Sequence, residues 1–220
     1  MKKLIKTLLR ESLIEKPLDE DYPSSWNIED FKNLKSFNKR VQYCEQHLQR
    51  ISSGSSRIVY KIDDQKVLKL AKNQKGLAQN EIEASYSTYE DLSSITARVF
   101  EYDENNLWIE MELAKKVTPQ IFQQVTGFKF SNYCQALESH YYTLEGHTGK
   151  VRKVSPPENI AEFWKDEFTY DMLSLMGNYD IPVGDLCALT SYGLVNRNGQ
   201  NRIVMIDYGL TNEVYDSYYS

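Results

Sequence analysis

The sequence contains few of the residues that form disulfide bonds or bind transition metals. Its three cysteines, Cys44, Cys134 and Cys187, are widely spaced and odd in number, which suits a reducing compartment where each thiol acts as a small buried apolar group. The three histidines are equally scattered and show no metal-ligand spacing. We therefore predict neither a disulfide-stabilised protein nor a Cys/His metal site.

Long apolar runs and a strong excess of one charge are also absent. No run approaches the roughly 20 apolar residues that cross a bilayer, and the basic start MKKLI lacks the sustained apolar stretch of a secretory signal. Acidic residues number 31 and basic residues 26, for a net charge of -5, which disfavours nonspecific nucleic-acid binding. We expect a cytoplasmic protein with neither a membrane nor a nucleic acid as its partner.

What is present is an ordinary globular composition. The 220 residues are 41% hydrophobic and 26% charged, which is enough to build a core. This length predicts one large domain or two small lobes around a shared cleft.

Residues 1–50 are predicted to form a helical extension. The first sixteen residues place leucine and isoleucine at helical intervals between basic residues, which indicates an amphipathic helix. Its apolar face needs a surface, either that of its own domain or that of a protein partner. A linker containing proline and serine follows, and then a second helix over residues 30–49.

Residues 51–114 have the pattern of a small antiparallel sheet with one helix. Turn residues lead into β-branched strands, and the helical period appears once between them. The predicted elements are a turn over 52–56 leading into a strand that ends at Ile62, a strand over Lys66–Ala71, a helix over 77–92, and strands over 97–102 and 107–113.

Residues 115–220 have a mainly helical pattern that ends in a hairpin. Apolar residues recur at three- and four-residue steps over 158–176, which predicts one long helix. A loop around Asp185 follows. Strands over 192–196 and 202–206 are joined by Asn198-Gly199, a strong signal for a two-residue turn.

Asp207 and Asp185 are the first candidate site residues. Asp207 leaves a buried strand, where an unpaired carboxylate is costly, and Gly209 lets the backbone turn sharply. Taken alone, Asp207 fits a turn residue that satisfies backbone donors. Because Asp185 precedes the hairpin that delivers Asp207, both carboxylates can reach one end of a cleft. Such a pair suits magnesium and an attacking hydroxyl.

Lys69 is the third candidate. It lies between Leu68 and Leu70, whose side chains point to the opposite face of the strand, and a lone lysine on a strand is ordinarily a solvated edge residue. Here the next helix carries Glu83 and Glu81, at a distance that lets it fold back over the sheet. A buried Lys–Glu pair would hold the ammonium group as a point charge for phosphate.

The order of these parts resembles the protein-kinase fold over residues 51–210. The resemblance implies an α+β, two-lobed, protein-kinase-like fold with a small antiparallel sheet, one helix and a truncated, mainly helical C-lobe. It implies ATP and Mg²⁺ as cofactors. Asp185 would be the catalytic residue that orients an acceptor hydroxyl, and Asp207, in Asp207-Tyr208-Gly209, would be the magnesium ligand.

The same resemblance implies a set of residues that bind the nucleotide. The first two lie in the phosphate loop, whose small residues let backbone amides approach an anion. The lysine and one of the two helix glutamates would hold the phosphates, and the last residue lies in the hinge strand, whose backbone would read adenine. These residues are Gly54, Ser55, Lys69, Glu83 or failing that Glu81, and Glu112.

The sequence also departs from the family pattern. One glycine of three remains in the phosphate loop, with Arg57 at the third position. Val183-Gly184 replaces the His-Arg before the catalytic aspartate, and Thr190 stands at the second metal-binding asparagine. Eleven residues follow Gly209 in this sequence, too few for the helices that hold a peptide substrate, so we do not expect an ordinary protein kinase.

Three functions follow from this pattern. The first is a kinase-like ATP- and Mg-dependent phosphotransferase with an unknown acceptor. The alternative is a pseudokinase that serves as a structural or interaction module. The third is phosphorylation or nucleotidylation of a small molecule, since small-molecule kinases share this architecture. The looser pattern of Asp-Leu, Ser-Tyr-Gly and Ile-Asp-Tyr-Gly-Leu also resembles short kinase-like proteins of tailed bacteriophages, which would place the chain in a host cytoplasm or a virion.

Overall fold

A five-stranded antiparallel sheet forms the first half of the fold. The computed structural model describes residue 23 and residues 25–144 and 154–218. The strands pair in the order β1-β2-β3-β5-β4. Their bounds are β1 (Gln49–Ser53), β2 (Arg57–Lys61), β3 (Lys66–Ala71), β4 (Val99–Tyr102) and β5 (Trp108–Glu112).

The predicted sheet is confirmed, with a correction at its edge. Residues 52–56 were predicted as a turn, whereas β1 extends to Ser53 and pairs with β2. All five β1 side chains are exposed, so the alternation of apolar and polar residues that reveals a half-buried strand is missing. The strand is defined by its backbone pairing with β2.

One helix, α3 (Gln74–Tyr86), packs on the sheet. It begins earlier than the predicted residue 77, because the Asn73 side chain accepts a hydrogen bond from the Gly76 amide and caps the helix. It ends at Tyr86, and Glu90–Leu92 forms a separate 3₁₀ turn, so the predicted helix over 77–92 is wrong at both ends.

The two faces of β3 have different partners. Val67 belongs to the core shared with the second half of the fold, whereas Leu68 and Leu70 belong to a core on the opposite face. Lys69 shares the Val67 face and is buried. The period of two in a strand therefore directs this lysine toward α3 and the second half of the molecule.

Residues 26–48 cover the outer face of the sheet. Trp26, Phe31 and Cys44 pack into one core with Leu68 and Trp108, and the rings of Phe31 and Trp108 lie 5.9 Å apart in an edge-on arrangement. This segment therefore belongs to the core of the sheet itself. The predicted amphipathic helix over residues 1–16, with its protein partner, lies outside the described residues.

The predicted helix over 30–49 is two helices, α1 (Ile28–Lys32) and α2 (Phe37–His47). The Ser36 side chain accepts a hydrogen bond from the Lys39 amide. Because an N-cap residue has an extended backbone, α1 must end before it.

The second half of the fold is mainly helical. A small antiparallel sheet with the strand order β6-β7-β8 accompanies the helices. The bounds are β6 (Lys115–Lys116), α4 (Pro119–Thr126), α5 (Phe130–Leu144), α6 (Ile160–Phe163), α7 (Glu167–Asn178), α8 (Val183–Leu186), β7 (Tyr192–Arg197), β8 (Gln200–Met205) and α9 (Asn212–Tyr218).

The predicted helix over 158–176 is also two helices, α6 and α7. Asp166 accepts a hydrogen bond from the Thr169 amide and caps α7, and Asp166 itself has an extended backbone. The apolar spacing continues through the break because Phe163 and Met172 both enter the same core. The apolar periodicity therefore identifies the buried faces of α6 and α7 but not the break between the two helices.

The hairpin of β7 and β8 is confirmed. Asn198 and Gly199 both have positive φ values, 54° and 79°, as a two-residue hairpin turn requires. Met205 on β8 reaches the first half of the fold through backbone hydrogen bonds with Ile95 and Ala97 of 2.7 and 2.8 Å. The hairpin thus delivers its exit residues to the boundary between the two halves.

The predicted fold class is confirmed as α+β, with an antiparallel sheet that carries the predicted helix α3 on one face, and a mainly helical second half. The cysteines are free thiols, with Cys44 buried and Cys134 and Cys187 half-buried rather than fully buried. In the described part of the chain, no helix combines the length and the apolar character that a bilayer crossing requires.

Candidate functional site

A cavity of about 420 Å³ lies between the sheet and the end of the late hairpin. This volume falls within the range of roughly 300–1,000 Å³ that is usual for small-molecule sites. Its wall brings together residues that are far apart in the sequence. Among them are Gly54, Ser55, Arg57, Lys69, Glu112 and Asp207.

Lys69 is held at the back of this cavity by three oxygen atoms. Its Nζ lies 3.0 and 2.9 Å from the two carboxylate oxygens of Glu83 and 2.6 Å from the carbonyl oxygen of Ile206. The last of these contacts joins β3 directly to the residue before Asp207. Burial lowers the pKa of Lys69, and the Glu83 charge opposes that effect.

The structure distinguishes the two helix glutamates. Glu83 is fully buried and faces the sheet, whereas Glu81 is exposed. Residues two apart on a helix point to different sides, so one of the pair at most can reach Lys69. Glu81 therefore takes no part in the site.

Arg57 is the residue whose place in the site was missed by the sequence reasoning. Its guanidinium donates to Glu83 Oε2 at 2.7 Å and to Asn80 Oδ1 at 3.3 Å. It also forms a close ion pair with Asp207. The one signal in the sequence was a charged residue at a position where the kinase pattern has glycine.

Arg57 and Asp207 shift each other's ionisation in a predictable direction. Burial opposes the charge on Arg57, but the carboxylates of Glu83 and Asp207 outweigh burial and raise its pKa. Loss of water around the Asp207 carboxylate at the back of the cavity likewise opposes its charge, and the charges of Arg57 and Lys69 outweigh this effect and lower the pKa of Asp207. Both groups are therefore ionised at neutral pH.

The Asp207-Tyr208-Gly209 turn is fixed on both sides of the carboxylate. Tyr208 is buried, and its hydroxyl donates to the Ala97 carbonyl at 3.0 Å. A Cβ on Gly209 would lie 2.3 Å from the Gln79 carbonyl oxygen, so glycine is required by the close approach of α3. Asp207 itself keeps 57% of its side-chain surface exposed, facing the cavity.

Asp185 lies on α8 and is not one of the residues that line the cavity. Burial, followed by the negative charge of Asp207, raises its pKa to about 6. The two predicted aspartates are thus close enough to influence each other. A carboxylate with this pKa is mostly ionised at pH 7 and can accept a proton from a hydroxyl group.

The turn after β1 borders the cavity with its backbone. Its carbonyl groups are occupied: Gly54 accepts from Lys72 Nζ at 2.7 Å and Ser55 accepts from the Asn73 side chain at 3.1 Å. Gly76 allows α3 to approach this turn, because a Cβ there would lie 2.3 Å from the Ser56 carbonyl oxygen. The turn is therefore anchored to the start of α3.

Glu112 lines the cavity, but its carboxylate is bound elsewhere. Both oxygens accept from Arg197, at 3.1 and 2.5 Å. The backbone of the following residue is also engaged, since the Leu113 amide donates to Gln65 at 2.6 Å. Glu112 thus connects β5 to β7, and its side chain is not directed at a ligand.

The residues present do not fit the magnesium site implied by the sequence resemblance. The carboxylate assigned to the metal, Asp207, is already neutralised by Arg57. The second ligand position holds Thr190, whose hydroxyl is a poorer ligand than an amide carbonyl.

Comparison with known proteins gives a limited result. No protein-family model and no curated protein matches the chain. Among solved structures, the complex of APH(2'')-IIa with streptomycin and ATP is 13% identical, with 80% of this chain and 71% of that chain covered and a TM-score of 0.36. ADP-bound aminoglycoside phosphotransferase APH(2'')-Ib is also 13% identical, at 80% and 71% coverage, with a TM-score of 0.34.

A third similar structure is the GDP complex of aminoglycoside 2'-phosphotransferase-IIIa. It is 12% identical, with 80% of this chain and 73% of that chain covered and a TM-score of 0.38. Likeness at this level carries no argument about activity. Only the geometry of the cavity therefore indicates what the chain does.

Proposed function

We propose that the chain is a phosphotransferase that binds a nucleoside triphosphate in the cavity between the sheet and the late hairpin. The observation that carries the proposal is the position of Lys69. Its ammonium group is bound to Glu83 on one side and to the Ile206 carbonyl on the other. A buried ammonium held this way next to a cavity is a fixed positive charge for phosphate oxygens.

The remaining residues have roles that follow from their positions. The backbone of Gly54 and Ser55 borders the phosphates at the mouth of the cavity, and the end of β5 borders the base. Asp185, with its pKa of about 6, orients the acceptor hydroxyl and takes its proton. The bond from the γ-phosphorus to the bridging oxygen breaks as the bond to the acceptor oxygen forms, and a nucleoside diphosphate leaves.

The test is transfer of radiolabel from γ-labelled ATP, including transfer to the protein itself and to water. We expect Asp185→Asn to reduce the rate at least about 100-fold, as is typical when a general base is removed. Glu104→Gln, which removes an exposed carboxylate in the turn before β5, is the matched control and should not change the rate.

Two results would argue against this function. Label transfer that is equal in the wild type and in Asp185→Asn would exclude Asp185 as the base. Nucleotide binding without any transfer, to the protein, to water or to a panel of hydroxyl compounds, would instead support the alternative of a pseudokinase that acts as a binding module.

A further inference from the structure

The Arg57–Asp207 ion pair changes the charge balance of the cavity. In the kinase pattern, a lysine, a glutamate and an aspartate meet, which leaves one negative charge for a divalent ion to neutralise. Here Arg57 and Lys69 oppose Glu83 and Asp207, so the cluster is already neutral. The additional positive charge contacts the very carboxylate that the pattern assigns to the metal.

Arg57 is a permanent part of this arrangement. An arginine does not lose its proton in proteins, and this one is 6% exposed. Its hydrogen bonds to Glu83 and Asn80 attach it to α3, so the guanidinium is fixed before any ligand arrives. A fixed guanidinium also matches the geometry of phosphate oxygens.

The position of Arg57 relative to the cavity supports a role in binding. Arg57, Lys69 and Asp207 all line the same cavity. The Arg57 side chain is almost fully buried, and its partner Asp207 presents an exposed carboxylate to the cavity. Because Arg57 and Lys69 line the same cavity, a triphosphate that enters beside Lys69 meets a second cation in the same wall.

From this arrangement we propose that Arg57 is a further phosphate-binding residue that supplies, in this chain, the positive charge that a divalent ion supplies in the kinase pattern. The proposal rests on the proposed nucleotide site. It implies that nucleotide affinity depends only weakly on a divalent metal.

The experiment measures ATP affinity by isothermal titration calorimetry, once with excess EDTA and once with Mg²⁺. For the wild-type protein we expect dissociation constants within about threefold of each other. For Arg57→Gln we expect at least a tenfold loss of affinity in EDTA, with partial recovery in Mg²⁺ because Asp207 is then free. The matched control is Arg202→Gln, an exposed arginine on β8, which should bind as the wild type does.

The wild-type ATP affinities in the two buffers test the proposal even if Arg57→Gln fails to fold. Arg57→Lys, which keeps the positive charge, provides a second variant. Binding by the wild type only in the presence of Mg²⁺ would overturn the role of Arg57 and leave the proposed function in place. An absence of ATP binding in both buffers would overturn the nucleotide site and this inference together.

Discussion

Arg57 and Arg197 are both buried arginines on strands, yet they are held in different ways. Arg197 binds both oxygens of Glu112 and the backbone carbonyls of Ser93 and Thr96. Arg57 binds side chains, one of which, Asp207, is largely exposed to the cavity.

The contacts of Arg197 are therefore structural, whereas the ion pair of Arg57 with Asp207 is one that a ligand can exchange. The partners of Arg197 belong to β5 and to the segment before β4, and backbone carbonyls there cannot turn away. More than half of the Asp207 side chain is exposed, so a ligand in the cavity can compete for its ion pair with Arg57. We therefore assign Arg197 to holding the two halves of the fold together, and Arg57 to the site.

The most disruptive single change should be Glu83→Ala, because it removes the shared partner of Arg57 and Lys69. Two buried cations would then lack a carboxylate on α3, and removing one member of a buried ion pair costs about 3–5 kcal/mol. Urea unfolding measures this loss. Glu81→Ala, an exposed glutamate on the same helix, should stay within about 0.5 kcal/mol of the wild type; equal losses in the two variants would contradict the buried cluster.

Replacing each of the two arginines with methionine tests whether their structural roles differ. Arg197→Met leaves Glu112 and two carbonyls without their donor, so we expect a loss of about 3 kcal/mol in unfolding free energy. Arg57→Met should cost about 1–2 kcal/mol, because Glu83 keeps Lys69 and Asp207 is open to water. Urea unfolding measures both, and the reverse order would contradict the distinction.

Gly209→Ala should loosen the Asp207 turn without touching Arg197. The new Cβ would meet the Gln79 backbone, and overpacking of this kind costs about 1–3 kcal/mol. Thermal and urea unfolding measure the loss, and ATP affinity should fall with it. Gly177→Ala on α7, where a Cβ meets nothing within 4 Å, is the control and should cost no stability.

The smallest expected effect is on the pH dependence of stability, which depends on how the negative charge of Asp207 acts on Asp185. Burial and Asp207 raise the folded pKa of Asp185 to about 6, above the unfolded value of about 3.9. The folded state therefore holds this proton more tightly, and the wild type loses stability as the pH rises from 4 to 6.

Asp185→Asn removes that dependence. Near pH 4 the variant and the wild type should have similar unfolding free energies, and at pH 7 the variant should be more stable by about 1–2 kcal/mol. Urea unfolding at the two pH values measures the difference. If the variant is less stable than the wild type at pH 7, the ionised Asp185 carboxylate stabilises the folded state, which would contradict this prediction.

Much of the site followed from local sequence patterns. Lys69 was found because the alternation on β3 places it opposite Leu68 and Leu70, and Asp207 because a carboxylate at the exit of a buried strand needs a partner. Glu83 was preferred over Glu81 by the kinase pattern, and the burial of Glu83 explains why it is the partner. Lys69 and Asp207 are thus marked by their immediate neighbours in the chain, whereas the choice of Glu83 depends on the resemblance to the kinase pattern.

Arg57 could not be found in this way, because its partner Asp207 is 150 residues away in the sequence. The errors in the fold have equally physical causes. Asp166 and Ser36 interrupt helices through capping bonds that compete with apolar periodicity, and β1 has no buried side chain to reveal it. Local patterns identify faces and strand ends, whereas long-range ion pairs and helix breaks depend on tertiary contacts.

Phosphate binding beside Lys69 can be tested by calorimetric titration of ATP into Lys69→Met and Lys39→Met. The first variant removes the ammonium group held by Glu83 and Ile206, and the second removes an exposed lysine on α2. We predict at least a tenfold loss of ATP affinity for Lys69→Met and none for Lys39→Met. Equal affinity in Lys69→Met and the wild type would contradict phosphate binding beside Lys69.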